Sequence, residues 1–354
     1  MGRALGIGLF VTALCGLGGR ADAGGISIEG NASSDFGWDS NVYRNFDGQA
    51  GEPVVADGLL QVGSDFELRT TGSSGQRTEV EGQFGARLFD VQSPEDMLVG
   101  QLAASHDVSL SRALTLRLDA EGKDKWVAND DRAYADWGGG LGLDWRPARR
   151  LDAALRAGWR TFDYFPDSDF TEAGPALSAE LSGSPARKQL LFASYRLFPQ
   201  LYRGPELTAA GVDAAPDARR FDWYHVASVG YSLRGPVVLS LTYRFVDDRS
   251  DAFGESFVRN RVEGLFGWIL PGDIYLAATG ALQITSYPDG LYLSPQLLLL
   301  EDDDDLNEVS VKLSRDLGGG FSLEARAGYY WNDFLQNGLT YERALVFGGI
   351  AYRR

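Results

Sequence analysis

The two histidines are the first residues to test for catalysis, because imidazole is the side chain best matched to proton transfer near neutral pH. His106 is followed by Asp107 and Val108, and His225 by Val226 and Ala227. Neither has the serine two residues on that a His-x-Ser arrangement supplies, and neither has an evident nucleophile with a defined role. The one cysteine, Cys15, lies in an apolar stretch near the start, so zinc sites built on Cys or His are nearly excluded. Glu79 and Glu81 share one face of a two-residue repeat, as a carboxylate couple would, but so does any solvated pair at that spacing. The acidic run Glu301 to Asp305 could attract divalent cations, yet it lacks the spaced oxygen ligands of a calcium loop and reads as a solvated connection. No catalytic, metal or cofactor site is expected.

The 354 residues include 33 Lys+Arg against 49 Asp+Glu, for a formal net charge of −16. That acidic balance argues against a nucleic-acid partner, which requires a basic face. With 44% hydrophobic and 12% aromatic residues, the chain is also too apolar for disorder. Arg3, then an apolar stretch from Ala4 to Gly19, then Ala21-Asp22-Ala23, reads as a cleaved signal peptide over residues 1–23. The stretch is short for a membrane helix, and Leu14 before Cys15 is too large for lipoprotein processing. The mature chain, 24–354, would then hold no cysteine, as suits an exported protein without disulfides. No later stretch approaches 18 consecutive apolar residues, which rules out a membrane helix there but not a membrane barrel.

The elements that must position any functional group alternate with period 2. Leu60, Val62, Phe66 and Leu68 oppose Gln61, Asp65, Glu67 and Arg69; Val80, Gly82, Phe84 and Ala86 oppose Glu79, Glu81, Gln83 and Arg87. The same alternation runs through Leu114–Glu121, Val237–Phe245 and Phe321–Tyr330. About 16 such segments fit between Ile26 and Tyr352, near 21 residues for each strand with its connection. The expectation is an all-β chain: a transmembrane, antiparallel, up-and-down outer-membrane β-barrel. Splitting the apolar Leu291–Leu300 stretch into an extra strand would raise the count to 18.

Connections alternate in length. Short ones, such as Ser111-Arg112, Gly235-Pro236, Pro271-Gly272-Asp273 and Gly318-Gly319-Gly320, interleave with longer ones such as 45–57, 203–218 and 287–305. Short periplasmic turns and long extracellular loops would place both termini in the periplasm. Trp38, Trp126, Trp137, Trp223 and Trp331 fall toward the long-loop ends, Trp145 and Trp268 toward the short-turn ends, and Trp159 nearer mid-strand. Two aromatic girdles around an apolar band are expected of a membrane barrel.

On this map Arg69, Arg87, Arg117, Lys123, Arg156, Arg160, Arg244, Arg261, Lys312 and Arg326 face inward. So do Asp65, Glu67, Glu79, Glu81, Asp119, Glu121, Asp152, Glu263 and Glu324, and the aromatics Tyr164, Tyr224 and Tyr330. Neither sign dominates, which suits hydrated, hydrogen-bonding cargo such as sugars. The candidate pore-lining set is Arg69, Arg87, Arg117, Arg156, Arg160, Tyr164, Arg244, Arg261, Glu263, Arg326 and Tyr330. Both histidines fall on outward registers.

Three stretches carry a family resemblance. Asp39-Ser40-Asn41-Val42-Tyr43-Arg44 resembles a motif of outer-membrane barrels of exopolysaccharide gene clusters. Tyr292-Leu293-Ser294-Pro295-Gln296 resembles a stretch in the barrel portion of bacterial cellulose and poly-N-acetylglucosamine exporters. Asp248-Arg249-Ser250 with Arg259-Asn260-Arg261 is similar to a strand pair of the same group. The resemblance implies a conduit for polysaccharide cargo through the outer membrane. Those larger exporters carry helical repeats ahead of the barrel, which this chain lacks, so a separate periplasmic polysaccharide export protein would be its partner. Outer-membrane lipid and the barrel assembly machinery are the other expected partners. The last strand, Val346 to Tyr352, resembles the terminal assembly signal but ends in Arg353-Arg354 rather than an aromatic residue. The alternative is a general or substrate-specific diffusion porin for small hydrophilic solutes; a third is an adhesin acting through its long loops.

Overall fold

The computed structural model describes residues 25–43, 54–72, 76–129, 132–206, 217–288, 307–334 and 339–353. The signal-peptide stretch 1–23 with Cys15, the Tyr292–Gln296 motif, the Leu291–Leu300 stretch and the Glu301–Asp305 run lie outside these residues.

Sixteen strands make up the fold. They are β1 (Ile26–Asp39), β2 (Asp57–Thr71), β3 (Arg77–Phe89), β4 (Met97–Ser109), β5 (Leu114–Val127), β6 (Tyr134–Ala148), β7 (Leu151–Tyr164) and β8 (Glu172–Gly183). The second half comprises β9 (Gln189–Pro205), β10 (Arg219–Leu233), β11 (Val237–Ser250), β12 (Phe257–Leu270), β13 (Ile274–Ser286), β14 (Asn307–Gly318), β15 (Phe321–Phe334) and β16 (Leu339–Arg353). Each strand pairs antiparallel with its sequence neighbours, and β1 pairs with β16, so the sheet closes into a barrel with no free edge. The expected count of 16 holds; no extra pair is present among the described residues.

Register fixes which side chains share a face. Lys125 lies opposite Tyr134, Tyr134 opposite Tyr164, and Phe162 opposite Glu172, so one parity runs unbroken around the wall. The other parity carries Phe36, Leu98, Leu118, Trp126, Leu141, Leu155, Trp159, Leu241 and Ile284, all solvent-exposed. A sheet that exposes its large apolar residues and turns its charges inward is a globular protein inside out, and hydrocarbon is the surrounding that removes the penalty. Outward aromatics cover outward glycines on the next strand: Phe66 lies over Gly82 and Trp137 over Gly122, where a Cβ would collide with the ring.

Turn chemistry explains the short connections. Gly272 (φ +83°) and Asp273 (φ +56°) both take the left-handed conformation that a tight hairpin requires. Gly318, Gly319 and Gly320 are left-handed in succession (φ +86°, +66° and +87°). At the other end the connections are longer and include two 3-10 turns, Ser93–Glu95 and Ser168–Phe170.

The inner face is tied together beneath those long connections. Arg343 on β16 grips Asp39 on β1 through Nε at 3.0 and 3.2 Å and Nη2 at 2.5 Å, with both side chains fully enclosed. Asn41 donates its backbone N–H to Asp39 Oδ1 (3.0 Å) and its side-chain amide to the Glu342 carbonyl (3.1 Å). Asp57 accepts the N–H groups of Gly58, Val91 and Gln92 at 2.7–2.9 Å. Beside these polar ties a small apolar cluster, Leu59, Leu345 and Phe347, packs against Phe89 and Tyr330.

Candidate functional site

The lumen is where polar side chains of all sixteen strands converge. One cavity, about 590 Å³, runs along β3 to β10 and is lined by Glu79, Glu81, Arg117, Asp119, Glu121, Asp136, Arg156, Arg160, Glu180, Arg196, Phe198 and Tyr224. A second space of about 490 Å³ adjoins β1 to β4 and is lined by Asn31, Gln61, Asp65, Gln83, Arg87, Gln101 and Arg326.

The eleven candidate residues all lie on the inward parity but do not form one group. Arg117, Arg156 and Arg160 meet in the larger cavity, and Arg87 and Arg326 in the second. Arg69 sits toward the short-turn end, paired with Glu67 and with Glu79 at 2.8 Å. Arg244 (3.7 Å) and Arg261 (2.7 Å) share Glu263, and Arg261 also reaches Gln283 at 3.1 Å. Tyr164 is packed against Phe170 of the second 3-10 turn and is only 3% exposed, so its ring is a support rather than a sugar-stacking surface. Tyr330 packs on the lumen-side apolar cluster.

Pairing decides how much charge the lumen offers. Arg156 meets Asp144 at 2.9 Å, Arg160 grips Asp136 at 2.7 and 2.5 Å, Arg117 stands 3.8 Å from Asp107, and Lys312 meets Glu324 at 2.7 Å. These cations are spent on their neighbours. Glu81, Asp119, Glu121 and Glu180 have no ion-pair partner among the described residues, whereas Arg196 is the one lining arginine left unpaired. The expectation that neither sign dominates therefore needs correcting for this cavity: after pairing, acid is in excess. Register sharpens the point, since Glu29 stands opposite Glu67 and Glu67 opposite Glu81. Like charges in direct cross-strand pairs are destabilising, so burial and packing do not explain this row.

Glu180 and Arg196 were absent from the inward set read from sequence. Their alternation is visible in Leu177–Leu181 and Tyr195–Leu197, and they could have been found by extending the parity of Arg156 across β8 and β9.

The histidines have partners that sequence proximity cannot reveal. Thr78 Oγ1 lies 2.8 Å from His106 Nδ1, and Tyr195 Oη 2.6 Å from His225 Nδ1, each across a strand pair. Both pairs are on the outward face, and no carboxylate is bonded to either ring among the described residues. A single hydrogen bond to one ring nitrogen satisfies a polar group on an apolar face; it lacks the orienting third member of a nucleophile–base arrangement.

At the long-loop end, four carboxylates crowd β8–β11 and the connection after β11. Arg220 chelates Asp222 at 2.5–3.1 Å, reaches Glu255 at 2.7 Å and stacks 4.1 Å above the Tyr202 ring. Burial raises the Glu255 carboxyl above the ordinary carboxylate range, with Asp222 adding to the rise and Arg220 opposing it.

No protein-family model matches the sequence, and no curated protein matches it. Solved structures do resemble the fold. OprB of Pseudomonas putida, at high pH, superposes with a TM-score of 0.53 at 10% identity, over 93% of this chain and 94% of its own. OccK11 (OpdR) of Pseudomonas aeruginosa gives 0.45 at 14% identity, over 92% and 96%. A mutant Rh. blastica porin gives 0.40 at 10% identity, over 93% and 100%. The chain thus has the closed sixteen-strand antiparallel barrel of outer-membrane porins.

Proposed function

We propose that this chain is a passive diffusion channel of the bacterial outer membrane for small hydrophilic solutes, acting after removal of residues 1–23. The observation that carries the reading is the inverted wall: large apolar side chains exposed outward, and a 590 Å³ lumen cavity lined almost wholly by charged and small residues. A wet lumen of largely self-paired charges lets water and small solutes pass without holding any tightly. The unpaired Glu81, Asp119, Glu121 and Glu180 favour neutral and cationic solutes over anions. The outward belt suits outer-membrane lipid, the short-turn end with both termini suits the periplasm, and insertion would use the barrel assembly machinery.

Polysaccharide export draws less support. Asp39 and Asn41 of the first motif are enclosed as ties at the β1–β16 seam. Arg259 and Arg261 of the third are bonded to Thr285, Glu263 and Gln283. A diffusion channel also requires no periplasmic export partner.

Reconstitution tests the proposal. The refolded barrel should give discrete ohmic steps in planar bilayers and admit small sugars into liposomes. A strain lacking the chain should keep its surface polysaccharide. A barrel that neither conducts nor swells liposomes, or a strain that loses surface polymer with its synthesis machinery intact, would sink the diffusion reading.

A further inference from the structure

Beneath the connection 251–256, Glu172 on β8, Gln200 and Tyr202 on β9, Asp222 on β10 and Asp248 on β11 occupy adjoining inward positions. Glu172 is opposite Tyr202, Gln200 opposite Asp222, and Asp222 opposite Ser250, two residues beyond Asp248. Counting Glu255, this pocket holds four carboxylates. Arg220 is engaged by Asp222 and Glu255, and Arg160 is gripped by Asp136. Among the described residues, Glu172 and Asp248 are left without a paired cation, although they are only 6% and 4% exposed.

Among the described residues, three buried oxygens in the pocket have no hydrogen-bond partner: Glu172 Oε2, Asp248 Oδ1 and Gln200 Oε1, the last on a residue 6% exposed. Buried acceptors without donors, in a pocket with surplus negative charge, are costly. A cation removes both costs together. The donors are all oxygens, with no nitrogen or sulfur ligand, which selects a hard ion. The carboxylates do not converge for direct chelation: among the described residues only Glu67, Glu79 and Glu81 bring three such oxygens within 4.8 Å. Glu67 and Glu79 of that trio are already engaged by Arg69 and Arg77, Glu81 is exposed, and none of the three is deeply buried, so the trio makes no built site. The wider pocket matches an ion that keeps part of its water and touches one or two carboxylates, which is the habit of Mg²⁺.

We propose that the Glu172–Gln200–Asp248 pocket binds one partly hydrated hard divalent cation of the Mg²⁺ type, bridging β8 to β11 at the long-loop mouth. The site is independent of what crosses the lumen.

The test uses the whole mature barrel, refolded in detergent without lipopolysaccharide and stripped with EDTA. Titration with MgCl₂ should show one saturable site by calorimetry, and Mg²⁺ should raise the temperature at which the barrel loses its compact mobility on a gel. Glu172→Gln and Asp248→Asn should each weaken binding by about tenfold or more. Glu67→Gln, in the other acidic group, should leave it unchanged. Absence of saturable binding to the wild-type barrel overturns the proposal, as does binding that survives both substitutions or is lost in Glu67→Gln. If neither pocket variant folds, the wild-type and Glu67→Gln titrations decide alone.

Discussion

Removing Arg343 should open the barrel where its two ends meet. Arg343 and Asp39 are 304 positions apart, and they join β16 to β1 through three contacts of 2.5–3.2 Å at 1% and 0% side-chain exposure. Arg343→Met keeps much of the side-chain volume but leaves the Asp39 carboxylate enclosed with, among the described residues, only the Asn41 N–H as a bonded donor. Stripping one partner from a buried ion pair costs about 3–5 kcal/mol, because the surviving charge has lost both water and counter-charge. Asp39→Asn/Arg343→Met removes both charges and should recover part of that loss, so the singles are not additive. The assay is urea unfolding of the barrel in lipid vesicles, followed by tryptophan fluorescence and by heat-dependent gel mobility. A single substitution costing under about 1 kcal/mol, or a double mutant equal to the sum of the singles, would refute the claim that this pair closes the seam.

Two further outcomes follow from lumen charge and loop burial. Replacing Glu81, Glu121 and Glu180 by Gln should lower cation preference in bilayer reversal potentials: a carboxylate about 7 Å from the permeation path at 0.1 M salt enriches cations about 1.6-fold, so about fourfold is lost for the three. Unchanged selectivity would mean that Arg196 and the paired groups set the field instead. Glu255 has a raised pKa in the folded barrel, so its contribution is fully present below the ordinary carboxylate range and disappears as pH rises through the raised value. Glu255→Gln should therefore flatten the fall in barrel stability with rising pH, read by urea midpoints between pH 4 and pH 8; an identical pH profile would show that Glu255 does not titrate there.

The architecture was legible because a period of two is set by the chain itself. Once Leu60 and Val62 are read as outward, Gln61 and Asp65 must be inward, and closure imposes nothing further on that choice. Turn residues were equally direct: Pro271-Gly272-Asp273 and the three glycines at 318–320 are the residue types that admit a tight hairpin, and Gly272, Asp273 and Gly318 to Gly320 do take left-handed backbone there. Which inward residues meet is a different matter. Neighbours around a barrel depend on register between strands, and residues far apart in sequence, such as Arg160 and Tyr224, come to line one cavity. Face could be read from alternation; grouping could not.

The same limit separates the charges that serve the lumen from those that hold it. Read singly, Arg261 and Arg196 are both inward arginines on amphipathic strands. In the barrel, Arg261 is 4% exposed and bonded to Glu263 and Gln283, so its charge never reaches the water column. Arg196 is exposed and, among the described residues, unpaired in the 590 Å³ cavity, free to act on a passing solute. Most of the lumen's other cations are half-exposed but, like Arg261, paired with a neighbouring carboxylate, which is why a chain with many inward arginines still presents an acid-rich path. A polar lumen must satisfy its own wall before it can select, and the groups left over after that pairing are the ones whose replacement should change transport without loosening the barrel.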